Sequence, residues 1–281
     1  MTVQDTQPPV PVRPLPLLAI AKESFDLLFT NLGAFVAAMA VPLVIELLAV
    51  WAFWTTYGPE MVRLSMDGGG SFGAPGIFFL RMFGLLLVLM IAYALFAVAW
   101  HRFALLGAGD RPRVLPAVQG RHMRFLLLTY GVGLLIGLIA MAALVPLGAL
   151  RVNSQILLVL VSFGLILIFT RWQLAFPAIA VDRPLGLGGA WRASRGQTLR
   201  LFWLFLLVVV PPAAVRWLID RTFQQDMGAF IMTGTISLPA AAGLAISAVM
   251  GYVMLAMLVG AISGAYRTLV LQPGAAANNP G

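Results

Sequence analysis

Polar and apolar residues come in blocks along this chain, with long apolar runs separated by short stretches that hold nearly all the charge. A helix needs about 20 apolar residues to cross the bilayer hydrocarbon. Six runs reach that length, at about 31–55, 77–104, 124–149, 155–180, 200–219 and 236–266. Residues 17–30, LLAIAKESFDLLFT, carry Lys22, Glu23 and Asp26 toward one side and predict an interfacial helix ahead of the first span. The proline-rich 1–16 and the small, polar 272–281 predict disordered tails around a membrane domain over 17–271. The first tail lacks the basic start and short apolar core of a signal peptide. The glycine-rich stretch 58–76 predicts a mobile loop, and 227–240 reads either as a loop or as a re-entrant segment before Pro239.

Composition strengthens this reading. Of 281 residues, 61% are hydrophobic and 10% charged, where soluble domains run near 45–50% and 25%. The fold class is therefore all-α, a polytopic helical membrane protein. The chain has no cysteine and two histidines, which removes disulfides and thiolate metal sites and leaves no multi-histidine metal centre. No cofactor motif is present. A net charge of +8 would suggest nucleic acid in a soluble protein, but here it reads as arginines in membrane-flanking loops.

Those arginines set the orientation. Thirteen of the 18 Lys and Arg fall on the side of the N-terminal segment, the second and fourth loops and Arg267, and five fall on the other. The basic side is expected in the cytoplasm with both termini.

An internal repeat organises the spans. Trp100 precedes Asp110-Arg111-Pro112 by ten residues, and Trp172 precedes Asp182-Arg183-Pro184 by the same ten. AYRTLVLQP from Ala265 is a weaker third copy, and Asn31–Pro42 echoes Arg200–Pro211. The pattern predicts three parallel hairpins, each entering and leaving on the basic side. In each Asp-Arg-Pro element the proline stops or starts a helix, the aspartate can cap orphan amides, and the arginine meets lipid phosphate or the end of the preceding helix. Residues 185–200 then predict a short interfacial helix, with Leu187, Ala190, Trp191, Ser194 and Thr198 on one face and Arg192 and Arg195 on another.

The segment RWQLAFPAIAVDRPLGLGGAWRASRGQTLRLFWLFLLVVVPP, from Arg171 to Pro212, resembles the membrane domain found in front of some bacterial glycerophosphoryl diester phosphodiesterases, and stand-alone relatives of the YciC-like type. The matching pieces are Pro177, Asp182-Arg183-Pro184, Ala190-Trp191 and Ser194-Arg195-Gly196. The resemblance implies a six-span bacterial inner-membrane domain. It carries no catalytic residue here, because the phosphodiesterase domain is a separate soluble barrel for which this chain leaves no room.

The candidate site residues follow. Arg102, Arg171 and Arg267 end the even-numbered spans at one level, either as a shared site for lipid phosphate or as snorkelling side chains. Asp182, Arg183, Pro184, Trp191, Arg192, Ser194 and Arg195 form a headgroup elbow. Glu46 is the one carboxylate deep in a span; by depth it is expected to pair with Arg216, bringing the first and fifth spans into contact. His101 and His122 read as structural. Gly133/Gly137, Gly260/Gly264 and Gly243/Ser247/Gly251 predict close helix contacts, within the chain first and with a second copy or another membrane protein second. Pro42, Pro146, Pro177 and Pro211-Pro212 predict kinks. Without paired acids, a metal cluster or a nucleophile–base set, the expected function is a non-enzymatic lipid- or partner-binding membrane module in envelope or phospholipid homeostasis, with anionic lipid as partner and no nucleic acid. A transporter of a lipid-like or apolar solute is the alternative.

Overall fold

A computed structural model describes residues 14–66, 75–149, 154–183 and 185–272. Pro184 and the two tails lie outside the described residues, apart from the segment from Pro14 on and the last residue, Gln272, before the masked end. The described chain is helical throughout: α1 (Leu17–Thr30), α2 (Leu32–Met66), α3 (Pro75–Leu106), α4 (Gly120–Ala149), α5 (Ser154–Trp172), α6 (Ala175–Ala180), α7 (Leu187–Ala193), α8 (Thr198–Thr222), α9 (Gln224–Thr233) and α10 (Leu238–Tyr266). A 3₁₀ turn, Gly107–Asp110, follows α3, and a wide π turn, Arg267–Leu271, follows α10. Six stretches are long and apolar enough to cross a bilayer, and they are the six expected from the sequence. The protein is a multi-pass helical membrane protein. Lipid satisfies no backbone amide, so each crossing must close its own hydrogen bonds, and an uninterrupted helix does so.

Several boundaries differ from expectation. The expected loop at 58–76 begins inside α2, which runs through Pro59 to Met66; residues 67–74 lie outside the described residues. A proline costs little where the helix has already left the apolar region. The fourth span is not one helix. It breaks at Gln173–Leu174 and resumes as α6, with Pro177 two residues inside the new helix, where its missing N–H matters least. The interfacial helix of 185–200 shortens to α7, because Gly196 turns with φ 76° before α8 begins. The doubtful stretch 227–240 is a helix, α9, closed by Gly234 at φ 70°. The Ser237 side chain then caps α10 by accepting from the Ala240 amide, and Pro239 falls in its first turn.

α10 is the axle of the bundle. It packs against α8, α1, α3 and α2, and of the six spans it has the largest buried share. Its small residues allow this. A Cβ on Gly260 would stand 2.7 Å from the Ser24 hydroxyl, and one on Gly264 2.9 Å from Ile20. The interfacial helix α1 is therefore seated in an α10 notch, and Ser24 donates to the Met257 carbonyl. Trp100 of α3 is fully buried and donates from Nε1 to the Ala256 carbonyl over 2.9 Å. His101 meets Ser263 at 2.8 Å, and Ser263 in turn donates to the Val259 carbonyl, which assigns the imidazole Nδ1–H as donor. His101 is structural. By contrast, a Cβ on Gly133 or Gly137 of α4 would meet nothing within 4 Å.

These contacts give a stability test. Gly260→Val or Gly264→Val pushes a branched side chain into Ser24 or Ile20 and should cost about 1–3 kcal/mol, measured by thermal unfolding in detergent. Gly137→Ala should be neutral or stabilising by up to about 1 kcal/mol. Equal losses at all three positions would show that α1 is not seated on α10.

Candidate functional site

Helix ends leave four carbonyls without intrahelical partners, and at the arginine-rich end of this bundle arginines from neighbouring elements take them up. Arg267, just past α10, donates from Nη2 to the Ala104 carbonyl near the end of α3 over 2.6 Å, while its Nη1 pairs with Glu23 of α1. Arg102 of α3 donates to the carbonyl of Ala180, the last residue of α6, over 3.1 Å. Arg171 of α5 donates to the Trp191 carbonyl of α7 over 2.6 Å and from Nε to the Ser194 hydroxyl over 3.1 Å; its guanidinium lies 3.6 Å from the centre of the Trp191 ring. The sixth span is thus fastened to the second, the second to the fourth, and the fourth to the elbow. Each of the three span-end arginines thus donates to a carbonyl of a neighbouring element.

The aspartates of the two Asp-Arg-Pro elements are not amide caps either. Asp110 and Asp182 converge on Arg102, at 2.5 Å and 3.7 Å. Asp182 also faces Arg121 at 3.2 Å and Arg124 at 3.9 Å. To do so it takes a left-handed backbone, φ 56°, which aspartate tolerates better than most residues. Five exposed or partly exposed groups therefore join the ends of α3, α4 and α6. Sequence reasoning named Asp182 and Arg102 as site residues and Asp110 only as a helix cap, and it gave Arg121, Arg124 and Glu23 no partner.

The start of α4 is closed by His122, whose Nδ1 accepts from the Gln119 amide over 3.0 Å. His122 stands three residues inside the helix, where a side chain can reach back to the capping residue. The elbow also fastens the N-terminal segment: Leu15, buried, gives its amide to Gln197 Oε1 and its carbonyl to Arg200. Trp191 is exposed, as are Arg192 and Arg195, and Ser194 is buried under Arg171. Arg183 lies near the Tyr266 ring.

Between the end of α3 and the start of α4 lies a hollow of about 300 Å³, lined by Arg102, Arg111, Arg113 and Arg121. Deeper in the membrane a second cavity of about 340 Å³ lies among Glu46, Tyr93, Tyr252 and apolar side chains of α3, α8 and α10.

The expected Glu46–Arg216 ion pair is corrected. Arg216 pairs with Asp220 one turn on, at 3.7 Å, and Asp220 accepts from Ser247 of α10. Glu46 and Tyr252 line the same cavity, and Glu46 makes no ion pair with Arg216 among the described residues. The reason is geometric. α10 stands between α2 and α8, packing on both, so equal depth did not bring the two side chains together. Arg216 instead reaches across α10 at Gly251, where a Cβ would be 3.0 Å from its Nη1.

Comparison of the chain with family profiles, curated proteins and solved structures gives no match.

Two outcomes are expected. Asp182→Asn should lower stability by about 1–2 kcal/mol, since it weakens three partly exposed contacts worth about 1 kcal/mol or less each; Arg121→Gln made on top of it should cost less than it does alone. In double-mutant cycles in detergent, Glu46→Gln should couple more strongly to Tyr252→Phe than to Arg216→Gln. The reverse order would restore the ion pair.

Proposed function

We propose that this chain is a non-enzymatic protein of the bacterial inner membrane that binds anionic lipid through its arginine-rich end, in the service of envelope or phospholipid homeostasis. One observation carries the reading. Three acids at this end, Glu23, Asp110 and Asp182, are committed to Arg102, Arg121, Arg124 and Arg267, whereas Arg111, Arg113, Arg192 and Arg195 are exposed with no acidic side chain in ion-pair reach among the described residues. Uncommitted cations beside apolar spans attract anionic headgroups, by about 1 kcal/mol each near the surface. The arginine asymmetry supports a cytoplasmic placement of this end and of both termini. The resemblance of residues 171–212 to the membrane domain of glycerophosphoryl diester phosphodiesterases is in keeping with a place beside phospholipid. The absence from the sequence of a nucleophile–base set or paired acids supports a binding role.

A second reading, transport of a lipid-like or apolar solute, is favoured by the cavity at Glu46, Tyr93 and Tyr252. Flux of such a solute in proteoliposomes would favour it over binding alone.

Lipids carried through purification, identified by mass spectrometry, should be enriched in anionic species over the source membrane, and the enrichment should fall in Arg192→Gln/Arg195→Gln. In intact cells, an impermeant thiol reagent should label Gln225→Cys and leave Ala108→Cys unlabelled. Unselective lipid, or labelling at residue 108, would overturn the corresponding half of the reading.

A further inference from the structure

We propose that the hollow between α3 and α4 is a specific pocket for the phosphate of a phospholipid whose head is a phosphate monoester, with its acyl chains lying along the apolar rim of the loop 111–119. The inference rests on the anionic-lipid reading and goes beyond it, because it replaces a diffuse attraction with one built site. Four arginines line the hollow. Arg102 and Arg121 are held in place by Asp110 and Asp182, so half of the cationic lining is fixed before any ligand arrives. Arg111 and Arg113 are exposed and have no acidic partner among the described residues. Four guanidinium groups stand against the Asp110 carboxylate, which is itself part of the lining, and Asp182, which lies outside it and is shared with Arg124, so at least two positive charges are left unmatched. A phosphate monoester, with a charge of about −1.5 to −2 near neutral pH, matches that surplus better than a phosphodiester with a single charge. Arginine forks suit phosphate geometry, and the N-terminus of the long helix α4 borders the same hollow and adds its positive end.

The size and the rim identify a lipid. About 300 Å³ is at the small end of ligand pockets, room for a compact head without a bulky alcohol. Around it the loop leaves Val114, Leu115 and Val118 exposed, at 54%, 79% and 74%. Pro112 and Pro116 border the hollow itself and stiffen this loop. A site for free phosphate has no use for three bare aliphatic side chains, whereas a headgroup brings acyl chain to cover them.

The test uses the full chain in detergent, titrated with dioctanoyl phosphatidic acid, dioctanoyl phosphatidylglycerol and inorganic phosphate, and read by native mass spectrometry. One phosphatidic acid should bind tightly, and phosphatidylglycerol more weakly. Arg111→Gln/Arg113→Gln, which removes no contact within the protein's ion pairs, should weaken phosphatidic acid about 30-fold, and Arg221→Gln, at the opposite end, should leave it unchanged. Leu115→Ser/Val118→Ser should weaken the lipid and spare any binding of inorganic phosphate. Inorganic phosphate binding as tightly as the lipid, indifferent to Leu115 and Val118, would overturn the lipid assignment. Equal affinity for the two lipids would overturn the monoester. Several weak lipids, reduced equally by the Arg111/Arg113 and the Arg192/Arg195 changes, would overturn the pocket while leaving the anionic-lipid reading intact. No preference for anionic lipid in the unsubstituted chain would sink both.

Discussion

Inside a bilayer a carbonyl without a partner has no water to turn to, and the end of every helix presents four. The arginine-rich end of this protein is organised around that constraint. The guanidinium is the side chain suited to it: it carries five donors and a long apolar stem, and it is more weakly hydrated than an ammonium. Seventeen of the 18 basic residues are arginine. Three of them cross from one helix to the carbonyls of another, and the positive charge arrives where the helix dipole is negative. An arginine placed this way joins two elements, where snorkelling would only have solvated one.

Few acids are available to answer these cations. With 10 Asp and Glu against 18 Lys and Arg, the acids that reach this end are shared. Asp182 faces three arginines at once, so it spreads the repulsion among them instead of neutralising one. The surplus then falls on residues with no structural duty, Arg111, Arg113, Arg192 and Arg195. Paired and unpaired charge are separated in this way: one set ties helix ends together, and the other has no acidic partner among the described residues.

Much of the fold was readable because lipid makes a strict demand. Twenty apolar residues cannot remain in water, so the six spans and their order followed from block lengths alone. The features that went unread depend on pairing between elements. Pro177, expected to kink the fourth span, leaves the Gln173 carbonyl without its i+4 donor, but that the helix breaks there and resumes as α6 depends on what packs around Gln173 and Leu174, which no local pattern states. The Glu46–Arg216 pairing failed for a related reason. Depth in the membrane is a one-dimensional quantity that chain position supplies, whereas the angle around the bundle is set by α10, whose glycines at 251, 260 and 264 could be recognised as contact points but not assigned to Arg216, Ser24 and Ile20. The Asp-Arg-Pro repeat located the site, yet its two copies do not play parallel roles: Trp100 is buried and bonded to α10, while Trp172 stays half-exposed against Trp191.

The helix at the centre of the bundle is also the last of the six to be made. Five spans must leave the ribosome and enter the membrane before α10 exists, and during that interval Trp100, Ser24 and His101 have no α10 atoms to bond. Synthesis at about 5–20 residues per second makes that interval seconds long, ample time for the apolar segments to insert singly. Folding is therefore divided in time. Insertion proceeds span by span with loose neighbours, and the arrival of one small-residue helix then closes the bundle in a single docking event. A lesion in α10 would leave a protein that is fully inserted, correctly threaded and unassembled, a species for membrane quality control to recognise by its exposed indole and imidazole.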